Sequence, residues 1–398
     1  MEPMEINDLL KEAVTAGASD LHLKVGSPPV FRRNGALEFR EGASAISKEE
    51  AVRLAFSVMT PAQRELFKKE ADLDFAYSVS GLGRFRCNAF LQRGTLGMVF
   101  RVIPTRIPGL DELTLPPILK KLALEERGLV LVTGTTGSGK STTLAAMIDH
   151  INSNKRVNIT TIEDPVEYTH KDKKSLLNQR EVGADTRSFS KALRSAMRQD
   201  PDVILVGEMR DFDTIQTALM AAETGHLVLS TLHTLDASET INRVISFFPP
   251  YHQNQVRLQL ATILKGIVSL RLLPKTDGKG RVPAVEVLIA TSTIKDCIID
   301  PGKSGLLHDF IEQGKVHYGM QTFDQSILEL FEAGLISYEE ALKQASNPDD
   351  LDLKVKGVHN TNEMFDQKSG EDMQRGGDVK KRGDQKSGGN MDIERFAR

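Results

Sequence analysis

Apolar residues along this chain change their spacing several times, and each change marks a different kind of element. Residues 6–16 carry apolar side chains at helical spacing and predict a short amphipathic helix. Short strands are predicted at 20–25 and 30–39, then helices at 48–59 and 61–69. Segments 72–79, 83–93 and 97–102 alternate apolar and polar positions with turn residues between them (Ser80-Gly81, Arg93-Gly94), as an antiparallel meander does. This first part therefore reads as a small α+β domain, residues 1–102. Residues 103–117 hold four prolines and few helix formers, the composition of an extended linker that lets the flanking parts move.

From residue 118 the pattern becomes α/β. Uninterrupted apolar runs at 129–133, 157–162, 203–206 and 227–231 read as buried parallel strands, with helices between them. That alternation predicts a doubly wound sheet. From about residue 253 the chain turns largely helical, apart from a β-hairpin at 270–288 around Thr276-Asp-Gly-Lys-Gly280, and this domain extends to 356. Residues 357–398 hold Gly, Lys, Asp, Gln and Ser with hardly any apolar residue, so a disordered tail is expected there.

A formal net charge of -3 supplies no basic field for a general nucleic-acid binder. Cys87 and Cys297 form no CxxC pair and no disulfide framework, which suits a reducing compartment. No apolar run reaches the roughly 18 residues of a membrane span, and no charged-then-apolar leader is visible. The expectation is a cytoplasmic protein with no direct membrane insertion.

The chemistry is concentrated in the second domain. Gly134-Thr135-Thr136-Gly137-Ser138-Gly139-Lys140-Ser141 matches G-x-x-x-x-G-K-[ST] between a predicted strand and a predicted helix, the arrangement that binds ATP or GTP. Its glycines turn backbone N–H groups toward the phosphates and the helix start adds its dipole, with Thr142 in the first turn. Lys140 reaches the terminal phosphates and Ser141 ligates Mg²⁺. Kinases, GTPases and motors share this loop, so the strand ends must discriminate. Val203-Ile-Leu-Val-Gly207 leads to Glu208 at the carboxyl edge of the sheet, placed to act on Mg²⁺ directly or through water. Ile159-Thr-Thr-Ile162 leads to Glu163, Asp164 and Pro165, and from that turn Glu163 could polarise the water attacking a γ-phosphate. Either acid could instead cap a helix or sit solvated in a turn. A further apolar strand is bracketed by His226 and His233; His233, at its C-terminal end, is placed to sense the γ-phosphate.

These boxes, in this order, resemble the secretion ATPase superfamily of type II and type IV secretion and type IV pili, over nearly all of residues 5–355. The turn TIEDPVEY from Thr161 to Tyr168 resembles that family's aspartate box, DPDVILVGEMRD from Asp200 to Asp211 its Walker B box, and TGHLVLSTLHT its histidine box. The segments Gly17-Ala-Ser-Asp20-Leu-His22-Leu and Gly83-Arg84-Phe-Arg86-Cys-Asn88 resemble its PAS-like domain. The resemblance implies a P-loop, RecA-like ATPase domain behind a smaller α+β PAS-like one, with ATP and Mg²⁺ as cofactors. It also implies a homo-hexamer hydrolysing ATP between neighbouring subunits. Arg84 or Arg86, with Arg93, Arg101, Arg194 and Arg198 as further candidates, would then neutralise charge on the γ-phosphate in trans. Within the family, the start close to the PAS-like domain and the lack of a four-cysteine zinc motif point to the branch that retracts pili for twitching motility, as does Gly319-Met-Gln-Thr-Phe-Asp324. The implied partners are an inner-membrane pilus platform protein and, in one version, a second pilus ATPase. Where such motors carry an Ala-Ile-Arg-Asn-Leu-Ile-Arg-Glu helix, this chain has Thr293-Ile-Lys-Asp-Cys-Ile-Ile-Asp300, keeping the apolar spacing but not the polar face. That change motivates an accessory nucleotide-binding ring as an alternative to the retraction motor; an assembly or secretion ATPase, disfavoured by the missing cysteines, stands beside them, and a small-molecule kinase is a distant fourth.

Overall fold

A computed structural model describes residues 4–357, apart from 34 and 105. Six strands, β1 (Asp20–Lys24), β2 (Val30–Arg33), β3 (Ala36–Phe39), β4 (Asp72–Val79), β5 (Gly83–Gln92) and β6 (Thr95–Val102), form an antiparallel sheet in the order β3-β2-β1-β6-β5-β4. The helices Ile6–Thr15, Lys48–Val58 and Pro61–Glu70 contribute Leu9, Leu10, Leu54, Ala55 and Phe67 to one core with Leu21, Phe85 and Phe100 of the strands. Alternation along β5 produces this: Phe85, Cys87 and Ala89 are buried, while Arg84, Arg86 and Asn88 lie on the opposite face.

Seven further strands build a second sheet: β7 (Gly128–Thr133), β8 (Asn158–Glu163), β9 (Leu176–Glu181), β10 (Val203–Val206), β11 (Leu227–Leu232), β12 (Leu264–Pro274) and β13 (Arg281–Ile289). Their order is β13-β12-β7-β11-β10-β8-β9, all neighbours parallel except the antiparallel edge pair β12–β13. Every residue of β7, β10 and β11 is buried, as strands covered on both faces require. The two cores on either side share this sheet, and each buries helices. Two features depart from the sequence reading. The hairpin expected at 270–288 is longer, and β12 joins the main sheet beside β7. β9 is an additional edge strand, with Leu176 exposed and polar residues along most of its length.

Leu110 and Leu115, within the proline-rich segment, are buried in the same core as Val130 and Val132 of β7. The first compact unit runs through Ser346; the short helix Pro348–Val355, capped by Asn347, belongs to a second unit. Of the disordered tail expected at 357–398, residues 358–398 lie outside the described residues. Among the described residues, no helix is long and apolar enough to cross a membrane.

Candidate functional site

The parallel strands all end at one edge of the second sheet, and the loops leaving β7, β8, β10 and β11 meet there. The loop after β7 curls because Gly134, Gly137 and Gly139 adopt φ values of 139°, 78° and 98°. Gly134 is also confined: a Cβ there would stand 2.5 Å from the Leu270 carbonyl oxygen of β12. Gly139 caps the helix Lys140–Asn154, leaving its first N–H groups facing the loop. The Lys140 ammonium folds back onto that loop, donating to the carbonyls of Gly134 (2.8 Å) and Thr135 (2.9 Å). Burial pulls its pKa down, against the attraction of Glu208 and Glu167. Ser138 is buried, and its hydroxyl has no hydrogen-bond partner among the described residues.

A cavity of about 550 Å³ opens over this loop. Thr136, Gly137, Gly139, Lys140, Ser141 and Thr142 line one side, and Glu163, Glu208, His233 and Arg86 also face it. Glu208 follows β10, and its Oε1 accepts from Arg210 Nε and lies 3.1 Å from His233 Nε2. Asp211 then caps the helix Phe212–Glu223, its Oδ1 accepting the Thr214 N–H at 2.8 Å, which fixes the chain immediately after this pair. Glu163, the last residue of β8, accepts from the Thr161 hydroxyl (2.6 Å) and the Gln179 amide (3.2 Å). Burial nonetheless raises its pKa above the usual glutamate range, against these two hydrogen bonds and one from the Glu167 backbone, while the Glu167 charge gives a smaller push upward.

The remaining sequence candidates fall elsewhere. His226 precedes β11, at the end of the strand opposite the cavity, with its Nδ1 2.9 Å from the Ala221 carbonyl. The structure therefore does not bring it to the nucleotide loop of its own chain. Arg84 donates from Nη2 to Glu181 (2.8 Å) and lines a separate cavity, of about 610 Å³. Arg86, two residues on, faces the loop of its own chain, where a role in trans had been expected. Arg101 pairs with the buried Asp20 (3.0 Å), Arg194 approaches Asp213 (3.7 Å), and Arg93 occupies the β5–β6 turn at φ 47°. None of these three, nor Arg198, lines the nucleotide cavity.

Several cavity residues had not been singled out, among them Tyr168, Arg210, Arg281 and His170. Tyr168 places its hydroxyl 2.9 Å from that of Thr142, and Arg210 holds Glu208. Arg281 arrives on β13. His170 faces the cavity with a buried Nδ1 lacking a partner among the described residues, and burial lowers its pKa to about 4, which keeps the ring neutral near pH 7. Tyr168 and Arg210 lie inside the quoted boxes and were legible there; His170 and Arg281 carry no local signal. For a divalent cation, the cavity offers the Ser141 hydroxyl and the Glu208 carboxylate, hard oxygen donors of the kind Mg²⁺ takes.

Glycine loop, buried lysine, and acids on neighbouring parallel strands together define a P-loop ATPase. The chain belongs to the type II/IV secretion system protein family, whose model matches residues 2–305. It is 46% identical over 348 residues to the type IV pilus retraction ATPase PilT of Pseudomonas aeruginosa, covering 87% of this chain and all of that one. It is 44% identical over 355 residues to the type IV pilus ATPase PilU of the same organism, covering 89% and 92%. The crystal structure of the pilus retraction motor PilT with bound ADP superposes with a TM-score of 0.81 at 46% identity, over 88% of this chain and 99% of that one.

Proposed function

We propose that this protein is the subunit of a hexameric motor that hydrolyses ATP to retract type IV pili, acting at the cytoplasmic face of the inner membrane on a pilus platform protein. The observation that carries this reading is the convergence of Lys140, Glu208, His233 and Glu163 on one cavity over the glycine loop.

The loop amides and the dipole of the helix Lys140–Asn154 bind the phosphates. Lys140, now spent on its own carbonyls, exchanges these for the terminal phosphates when nucleotide enters. Ser141 and Glu208 would hold Mg²⁺, which when bound would neutralise phosphate charge. Glu163 takes the proton of the attacking water; its burial strengthens it as a base beyond an ordinary glutamate. His233, against Glu208, reads the γ-phosphate and relays its presence to the helix Ala237–Ser246. Arg86 adds positive charge from the antiparallel sheet. Domains at 1–102 and 118–356 move relative to each other about the intervening segment; since Ile103 at its start and Leu110 and Leu115 further on are buried, the bending falls between Ile103 and Leu110. ATP bridging two subunits supplies the differential contact that such a switch requires.

The test is the number of surface pili on cells whose sole copy carries Lys140→Ala. More pili with lost twitching is the expected result. Fewer pili would place the protein on the assembly side. The nearly equal identity to PilU favours a second reading, an accessory motor beside another pilus ATPase, and an unchanged count would point there.

A further inference from the structure

The turn that presents Glu163 is held from outside by two side chains of one edge strand. On β9, Gln179 donates to Glu163 Oε1 (3.2 Å) and to the Tyr168 carbonyl (2.8 Å), while its own carbonyl accepts the His170 N–H (2.8 Å). Two residues further, on the same face of the strand, Glu181 accepts the Val166 N–H at 3.0 Å. The same oxygen, Oε2, accepts from Arg84 Nη2 at 2.8 Å, and Arg84 lies 97 positions away on β5 of the antiparallel sheet. The Glu181 side chain is only 6% exposed, so its charge depends on these few donors.

This contact is built to let go. Arg84 gives Glu181 a single nitrogen, and its buried Nε has no partner among the described residues, so the guanidinium is only half used. Beside it lies the cavity of about 610 Å³, walled by the β4–β5 turn on one side and by Val166, Gln179 and Asp185 on the other.

We propose that Glu181 is a positioning residue that transmits the placement of the antiparallel sheet, through Arg84, to the turn carrying Glu163. With Arg84 engaged, Val166 is held and Gln179 keeps Glu163 aimed at the cavity. When the antiparallel sheet moves, Arg84 leaves, the carboxylate turns to other donors and the turn loosens. Hydrolysis is thereby tied to the arrangement of the two sheets. The inference rests on Glu163 acting as the base.

The test uses the purified full chain with three variants, Arg84→Ala, Glu181→Gln and the double variant, and with Glu163→Gln as a control. Glu181→Gln keeps an oxygen for the Val166 N–H and loses only the charge. ATP turnover, affinity for a fluorescent ATP analogue, and hydrogen exchange of peptides spanning 163–170 are measured. Each single variant is expected to lower kcat by on the order of tenfold, with nucleotide affinity unchanged. Each is also expected to speed exchange across 163–170, and the double variant to fall no further than the singles, because both remove one linkage. Unchanged kcat and exchange in Arg84→Ala overturn the proposal, as does additivity in the double variant. Loss of stability with kcat intact would show a plain structural tether and also overturns it. Should the Glu181 variants fail to fold, Arg84→Ala, at a position 26% exposed, decides alone. Normal turnover by Glu163→Gln would sink the base assignment instead, while exchange across 163–170 still reports whether Arg84 governs the turn.

Discussion

Glu286 lies on β13, 4% exposed, with its Oε1 accepting the N–H of Ala237 at 2.7 Å. Ala237 opens the helix that follows His233, so this carboxyl anchors the exit of the histidine loop. Burial raises its pKa from the ordinary 4.5 to about 7; Asp236 and Asp324 push the same way, while the Ala237 hydrogen bond and Arg271 oppose them. The sign follows from proton uptake: between 4.5 and about 7 the unfolded chain has released this proton and the folded chain still holds it, so stability falls as pH rises through that window. At about 1.4 kcal/mol per pH unit, the gap corresponds to about 3 kcal/mol, fully present below pH 4.5 and gone above about pH 7. Glu286→Gln keeps an oxygen for Ala237 and cannot ionise. Urea unfolding of both proteins from pH 4.5 to 8, at fixed ionic strength, should show the wild type losing about 3 kcal/mol relative to the variant, which overtakes it toward pH 8. Parallel profiles, within about 0.5 kcal/mol throughout, would refute the reasoning, because Glu286 would then titrate alike in both states.

Glu163→Gln should reduce turnover by about 10²–10⁴-fold while retaining nucleotide affinity. Since the ionised carboxylate is the active form and burial raises its pKa, wild-type kcat should fall on acidification at a pH above the ordinary glutamate value, and that limb should vanish in the variant's residual activity. Gly134→Ala should destabilise the protein by about 1–3 kcal/mol and abolish nucleotide binding, since φ is 139° and the new methyl would meet the Leu270 carbonyl at 2.5 Å. Denaturation midpoints and binding titrations check both parts, and a normal nucleotide affinity would show that the loop does not need this approach to β12.

What could be read in advance was set by whether its cause is local. The glycine loop was legible because each glycine serves the backbone where it stands, and β7, β10 and β11 because burial on both faces leaves uninterrupted apolar runs. β9 was not, because Gln179 and Glu181 spend their polar side chains on the Glu163 turn and on Arg84, erasing the apolar signal of a strand. The placement of β12 beside β7 was likewise hidden. It depends on close backbone approach at Gly128 of β7, where a Cβ would stand 2.5 Å from the Ile263 carbonyl just before β12, and nothing near Gly128 in sequence announces a partner so distant. Arg84 and Arg86 share a face of β5 and could not be told apart by spacing; Glu181 separates them. His226 is different, for its separation from His233 was already in the sequence. The two bracket a six-residue strand, and seven positions at about 3.3 Å each place them roughly 20 Å apart. A strand of that length cannot deliver both histidines to one ligand edge of the same chain, so only the residue at its carboxyl end belongs with Glu208.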